Sequence, residues 1–151
     1  MSPNPTQKPV KVLAYVTRLN KGLPELLVFR HRDYPLAGIQ VPAGTVEPSE
    51  SLDDAAIREV EEESGLTGLT APKEVASEDY FHKEKGQMQE RHFFQMELID
   101  PDGIQDHWEF TVLSSSSDSG LVFMYYWLPI AQADTLAGGQ GKHVPAIMAL
   151  K

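Results

Sequence analysis

The chain has no cysteine among its 151 residues. That excludes a disulfide framework, a thiolate nucleophile and any zinc site built on Cys ligands. Positive charge is scarce as well: 13 Lys and Arg stand against 22 Asp and Glu, a formal net charge of −9. Sequence-independent binding along a nucleic-acid backbone needs a basic surface, which leaves at most a capped or triphosphorylated end as a nucleic-acid ligand. No apolar run is long enough to span a membrane, and the start, MSPNPTQKP, is polar and proline-rich with no apolar core of the signal-peptide kind. The expectation is a cytoplasmic protein without a membrane partner. At 41% hydrophobic and 23% charged residues, the chain has the make-up of one soluble domain with a real core.

The stretch that stands out runs from Gln40 to Leu66, a loop followed by a helix and a glycine stop. Ser51 reads as the N-cap, with Asp54 three positions on where a capping acid belongs, and Gly65 suits the left-handed position that ends a helix. Rotating about 100° per residue places Leu52, Ala55 and Ala56 on one apolar face. Continuing the wheel brings Glu59, Glu62 and Glu63 onto that same face, where an ordinary surface helix keeps apolar residues. Three carboxylates spaced i, i+3 and i+4 are neighbours and repel one another. Aimed inward, they require cations that the helix does not fully supply. Oxygen-only ligands at short range suit a hard divalent ion, most naturally Mg²⁺, with Mn²⁺ as a substitute.

These residues resemble a family. Gly44, Glu50, Arg58-Glu59-Val60, Glu62-Glu63 and Gly65-Leu66 match the Nudix box, G-x5-E-x7-R-E-U-x-E-E-x-G-U with U aliphatic, at every fixed position. The resemblance implies an α/β fold, an α/β/α sandwich on a mixed β-sheet, with residues 1–9 as a disordered lead-in and 10–151 as one domain. It implies that Glu59, Glu62 and Glu63 ligate the metal together with the carbonyl of Gly44. It also implies that Glu50 and Arg58 pair to hold the acids in place, so Arg58 supports catalysis while Glu50 is structural. The resemblance further implies that one carboxylate, Glu59 or Glu62, takes the water's proton, with Glu59 expected nearer the attacking water. The activity so implied is cleavage of a diphosphate linkage in a nucleoside diphosphate joined to another moiety. The rival is a Nudix module that binds a nucleotide or partner without turnover. The family also suggests a homodimer.

The remaining sequence supplies candidates. Residues 10–31 read as a hairpin, with the second strand from Glu25 to His31, and Gly38 to Val41 as a short strand. Strands follow over 72–82, 88–99, 106–113 and 121–128, with a serine-rich loop at 114–120 and short helices over 129–136 and 144–151. Arg30 and Arg32 precede a turn and are candidates to meet a substrate phosphate; Arg91 is a third, on a strand. Many family members add an acid well downstream of the box, and Glu109, next to Trp108, is the choice here over Asp106. Tyr80, Phe81, Trp108 and Tyr126 are available to stack on a base, although core or rim is the commoner use of such residues. Ala43 in the segment QVPAG resembles enzymes acting on nucleoside diphosphate sugars. The ADP-ribose, coenzyme A and NADH markers are absent, and Tyr80 falls slightly early for the dinucleoside polyphosphate tyrosine. No single substrate is selected.

Overall fold

The computed structural model describes residues 8–100, 102–112 and 120–148. Most of the lead-in expected over 1–9, the loop expected over 114–120 save its last residue, and residues 149–151 of the helix expected over 144–151 lie outside these. Strands β1 (Val10–Asn20) and β2 (Leu23–His31) form a hairpin through Lys21-Gly22, where both residues have positive φ. β3 (Ala43–Thr45) leads by way of a loop into helix α1 (Leu52–Ser64). β4 (Lys73–His82) and β5 (Gln87–Glu97) make a second hairpin, and β6 (His107–Thr111) and β7 (Val122–Pro129) a third pair. Two-turn and single-turn 3₁₀ segments at Ile130–Thr135 and Ala137–Gly139 precede the short α2 (Val144–Met148).

All seven strands join one mixed sheet, ordered β4-β5-β1-β2-β7-β6. Among the described strands, β1 and β5 are the pair that runs parallel, from Val10↔Glu90 to Thr17↔Glu97. The other side of β1 is shared, pairing with β3 near its start and with β2 at its end. This divided edge opens the sheet beside β3, where the box loop passes.

Alternation along the strands makes both faces apolar, so layers cover both. On one side Val12, Ala14, Val16, Leu27 and Phe29 pack beneath Ala55, Ala56 and Val60 of α1. On the other, Leu13, Tyr15, Leu26 and Val28 pack beneath Ile130, Ala133, Val144 and Ile147. The expected sandwich is what forms. The two alanines of α1 are fully buried. Their small size lets the helix lie close on the sheet, which brings the carboxylates one turn further on up to the opening beside β3.

Three expectations shift. β2 begins at Leu23 rather than Glu25, because the two-residue turn lets pairing start at Asn20↔Leu23. The strand expected over 38–41 is reduced to isolated bridges, Phe29↔Gln40 and Ile39↔Leu136, with continuous pairing only from Ala43. Gly38 at φ 80° and Pro42, which has no N–H, interrupt it on both sides. The helix expected over 129–136 is a 3₁₀ segment. Among the described residues, no helix is long and apolar enough to cross a membrane.

Candidate active site

Helix α1 is capped as its residues dictate. Ser51 Oγ accepts from the amide of Asp54 at 3.1 Å, and Gly65 takes the left-handed conformation while its amide donates to the Glu61 carbonyl. With the ends fixed, the wheel holds: Ala55, Ala56, Glu59, Val60 and Glu63 are all buried. Glu59 is 5% exposed and Glu63 3%. Glu62 is less enclosed, its side chain 31% accessible at the helix edge.

Burial of carboxylates requires partners. The amide of Ala43 donates to Glu63 Oε1 at 3.1 Å. Arg58 serves the rest. Its Nε and Nη2 fork onto the two oxygens of Glu50 at 2.7 and 2.9 Å, and Nη2 also donates to the Thr45 carbonyl at 3.1 Å. Its Nη1 reaches Glu59 at 2.8 Å and Glu62 at 3.2 Å. On the helix wheel Arg58 points away from the glutamate face, but its long side chain bends back across it. The Glu50 hydrogen bonds drive the guanidinium pKa up, and Arg58 in turn holds the Glu50 carboxyl below the usual carboxylate range. The box loop is thus tied to the helix at a residue that also touches two of the three acids.

Gly44 closes the arrangement. A Cβ built on it would fall on the carboxylate of Glu59, so the backbone of β3 and this side chain occupy adjoining space that only glycine leaves open. The donor set suits a hard cation: two nearly buried glutamates, a third at the rim and an exposed main-chain segment. Among the described residues, no three acidic or imidazole groups are already gathered at ligating spacing, and Arg58 bonds Glu59 and Glu62 in the meantime.

Glu59 and Glu63 line a cleft of about 510 Å³, together with Gly44 and Arg58. Lys11, His82, Lys85 and Arg91 line the same cleft. Lys11 Nζ donates to Thr45 Oγ1 at 2.5 Å, beside the box loop. Arg91 is 6% exposed, lies 3.5 Å over the Tyr80 ring and donates to the Gly138 carbonyl at 2.9 Å. Burial lowers its pKa, against the pull of Tyr80 and Glu78. Glu78 stands 3.7 Å from Arg91 and meets His143 at 2.8 Å and Lys142 at 3.2 Å. Burial alone would raise Glu78, but hydrogen bonds from His143 and Lys142 keep it below the ordinary carboxylate value. Helix acids and the side chains of Lys11, Lys85 and Arg91 therefore line one cleft, a combination that suits a bridging diphosphate and its counterion.

Of the residues singled out in the sequence, the fold brings together Gly44, Glu50, Arg58, Glu59, Glu62, Glu63 and Arg91. It places others elsewhere. Arg30 is exposed on β2 opposite Met124 of β7, and Arg32 pairs with Asp33 at 3.3 Å and Glu109 at 3.5 Å; neither lines the cleft. Glu109 borders a different hollow, of about 400 Å³, at the C-terminal end of α1 with Gly65 and Trp108. Asp106 bonds Arg18 at 3.0 Å, and that guanidinium lies over Trp127. Trp108 stacks on Tyr125 and donates to the Ser64 carbonyl, which makes it a support for the helix end. Phe81 is exposed opposite Met88, and Tyr126 packs against the core.

Lys11, His82, Lys85 and Gln140 went unnoticed in the sequence. Lys11 left one signal, being the charged residue in phase with Leu13 and Tyr15 on an otherwise apolar strand face. Gln140 left none. Its side chain accepts from the Val41 amide at 2.8 Å and its carbonyl from the Tyr15 hydroxyl at 2.5 Å, pinning the cleft's far wall across the sheet.

A NUDIX domain family model matches residues 7–147. No curated protein sequence matches significantly. Among solved structures, the chain is similar to a C. elegans Ap4A hydrolase in a binary complex, at 25% identity and TM-score 0.71, covering 94% of this chain and 96% of that one. It is also similar to the E. coli dihydroneopterin triphosphate pyrophosphohydrolase, at 19% identity and TM-score 0.67 over 98% of this chain and 100% of that one. The NUDIX domain of Shewanella oneidensis NrtR complexed with ADP ribose shares 13% identity at TM-score 0.70, over 95% and 88% of the two chains. With a family match across almost its whole length and two of the box glutamates lining the cleft, the chain belongs to the Nudix family as a pyrophosphohydrolase.

Proposed function

We propose that the protein hydrolyses the diphosphate linkage of a nucleoside diphosphate derivative, with Mg²⁺ or Mn²⁺ as cofactor. The observation that carries this reading is the pair of nearly buried glutamates, Glu59 and Glu63, beside the Gly44 backbone in a cleft that Lys11, Lys85 and Arg91 also line. Glu59, Glu62, Glu63 and the Gly44 carbonyl are the groups that would hold the ion. When bound, it supplies charge neutralisation on the phosphoryl oxygens and lowers the pKa of water.

The chain's own residues do the rest. Arg91, Lys11 and Lys85 hold the non-bridging oxygens and orient the diphosphate, since positioning and electrostatics carry most of phosphoryl transfer. The water oxygen attacks one phosphorus while a Glu59 or Glu62 carboxylate takes its proton. The bridging P–O bond breaks and the electron pair leaves with the second phosphate. Glu50 acts through Arg58, keeping the acids at their station. Because all box acids are present, turnover is favoured over a module that only binds.

The test is a phosphate-release screen with Mg²⁺ or Mn²⁺ over nucleotide sugars, dinucleoside polyphosphates, nucleoside triphosphates and capped RNA ends. Metal-dependent release that disappears in a folded Glu62→Gln variant supports the reading. Absence of both turnover and metal binding across the panel would overturn it.

A further inference from the structure

Strand register sets Glu78 of β4 directly opposite Arg91 of β5, so the two side chains rise from the same face of the sheet. Both are enclosed, at 12% and 7% side-chain accessibility. A buried guanidinium needs a counter-charge. Among the described residues, Glu78 is the carboxylate paired with it, Oε2 lying 3.7 Å from Nη1. That separation is too long for a hydrogen bond and short enough for a charge pair. The Gly138 carbonyl accepts from the same Nη1 at 2.9 Å. The ring of Tyr80, two residues along β4 from Glu78, lies 3.5 Å from the guanidinium carbon. Held at one amino group and along one face, a five-donor fork can still offer N–H groups to phosphate oxygens.

Glu78 is itself anchored from another direction. Its Oε1 meets His143 Nε2 at 2.8 Å and Lys142 Nζ at 3.2 Å. The His143 ring packs against Phe93, their centroids 4.6 Å apart, and Phe93 is fully buried. One carboxylate thus has two duties: Oε1 is gripped by the 142–143 segment, and Oε2 faces Arg91. Arg91 lines the box cleft and a hollow of about 410 Å³ beside it, whereas Glu78 lines neither. Its influence on a ligand therefore passes through Arg91. A buried ion pair can cost more in desolvation than it returns, so stability alone does not account for placing one behind a cleft-lining cation.

Resting on the diphosphate-hydrolase reading above, we infer that Glu78 is a positioning residue: it fixes the direction in which Arg91 presents its guanidinium to the diphosphate, and His143 holds Glu78 in place. A phosphate contact made in the ground state and the transition state alike is read in KM more than in kcat.

The full chain is tested by calorimetry with Mg²⁺ and methylenediphosphonate, whose P–C–P bridge does not hydrolyse, and by steady-state kinetics on the best substrate of the phosphate-release panel. Glu78→Gln keeps the shape and removes the charge. It should raise KM and the diphosphonate Kd about tenfold while kcat moves less than about twofold. In an Arg91→Met background, Glu78→Gln should add nothing further, because the group it orients is gone. His143→Phe keeps a ring against Phe93 but loses the bond to Glu78, and should raise the same two constants about threefold. A role in stability alone would lower the melting temperature of these variants and leave both constants where they were. That result, equal penalties with and without the Arg91 guanidinium, or no diphosphonate binding by the wild type would overturn the inference. If nothing is hydrolysed while diphosphonate binding shows the Glu78–Arg91 coupling, the hydrolase reading fails and the role of Glu78 stands. If a diphosphate is cleaved with KM indifferent to Glu78→Gln, the reverse holds.

Discussion

The carboxylate of Glu59 occupies the space that a Cβ at Gly44 would fill. Gly44 has no positive φ, so its glycine answers to this neighbour rather than to backbone strain. Strand β3 and helix α1 are therefore fitted to one another through the absence of a side chain.

Gly44→Ala should displace Glu59 while the rest of the fold persists. A shift of about 1 Å at a catalytic group costs on the order of a hundredfold in kcat. Adding Glu59→Ala to it should restore thermal stability by vacating the space, without restoring activity. Calorimetric melting and steady-state kinetics on the double-mutant cycle check both halves.

Arg58→Lys keeps the charge and loses the fork. Arg58 and Glu50 are only 21% and 14% accessible in their side chains, so the lost charged hydrogen bonds are not fully replaced by water. A stability loss of about 1.5–3 kcal/mol in urea unfolding is expected, with a lowered kcat because Glu59 and Glu62 lose a common restraint. Unchanged stability would show that the ammonium reaches the same partners.

His92 supplies a pH signature far from the box. Its Nδ1 and Nε2 meet Glu74 and Glu90, both at 2.6 Å. Burial works against the charged ring, but the hydrogen bonds to Glu74 and Glu90 outweigh it and raise the pKa above its usual 6.5. The folded state thus holds its proton more tightly than the unfolded one. This contribution is fully present below about pH 6.5 and is lost as pH rises through the raised folded value. Unfolding curves from about pH 6 to about pH 9 should show stability falling with pH in the wild type and a shallower fall in His92→Gln.

Divalent metal should stabilise the fold as well as activate it. A ligand at a hundred times its dissociation constant adds about 2.7 kcal/mol to the native state. Melting temperature should rise with Mg²⁺ or Mn²⁺ in the wild type, return to baseline with a chelator, and respond weakly in Glu63→Gln. An equal rise in that variant would place the ion elsewhere.

What the sequence by itself determined is what depends on neighbours along the chain. The caps of α1, its length and the turn of Glu59 and Glu63 onto the buried face, with Glu62 at its edge, follow from spacings of three and four residues, which a helix converts directly into position. The alternating strands and the turns between them were legible for the same local reason.

Only the tertiary structure decided what shares a cleft with those glutamates. Lys11, His82, Arg91 and Gln140 come from distant parts of the chain and converge because β1 pairs in parallel with β5 and the 137–143 segment folds back over the sheet. The same long-range register carried Glu109 to the end of α1 and Arg32 into an ion pair with it. An acid or arginine on a strand has two faces to choose from, and strand pairing, which local spacing does not encode, makes the choice.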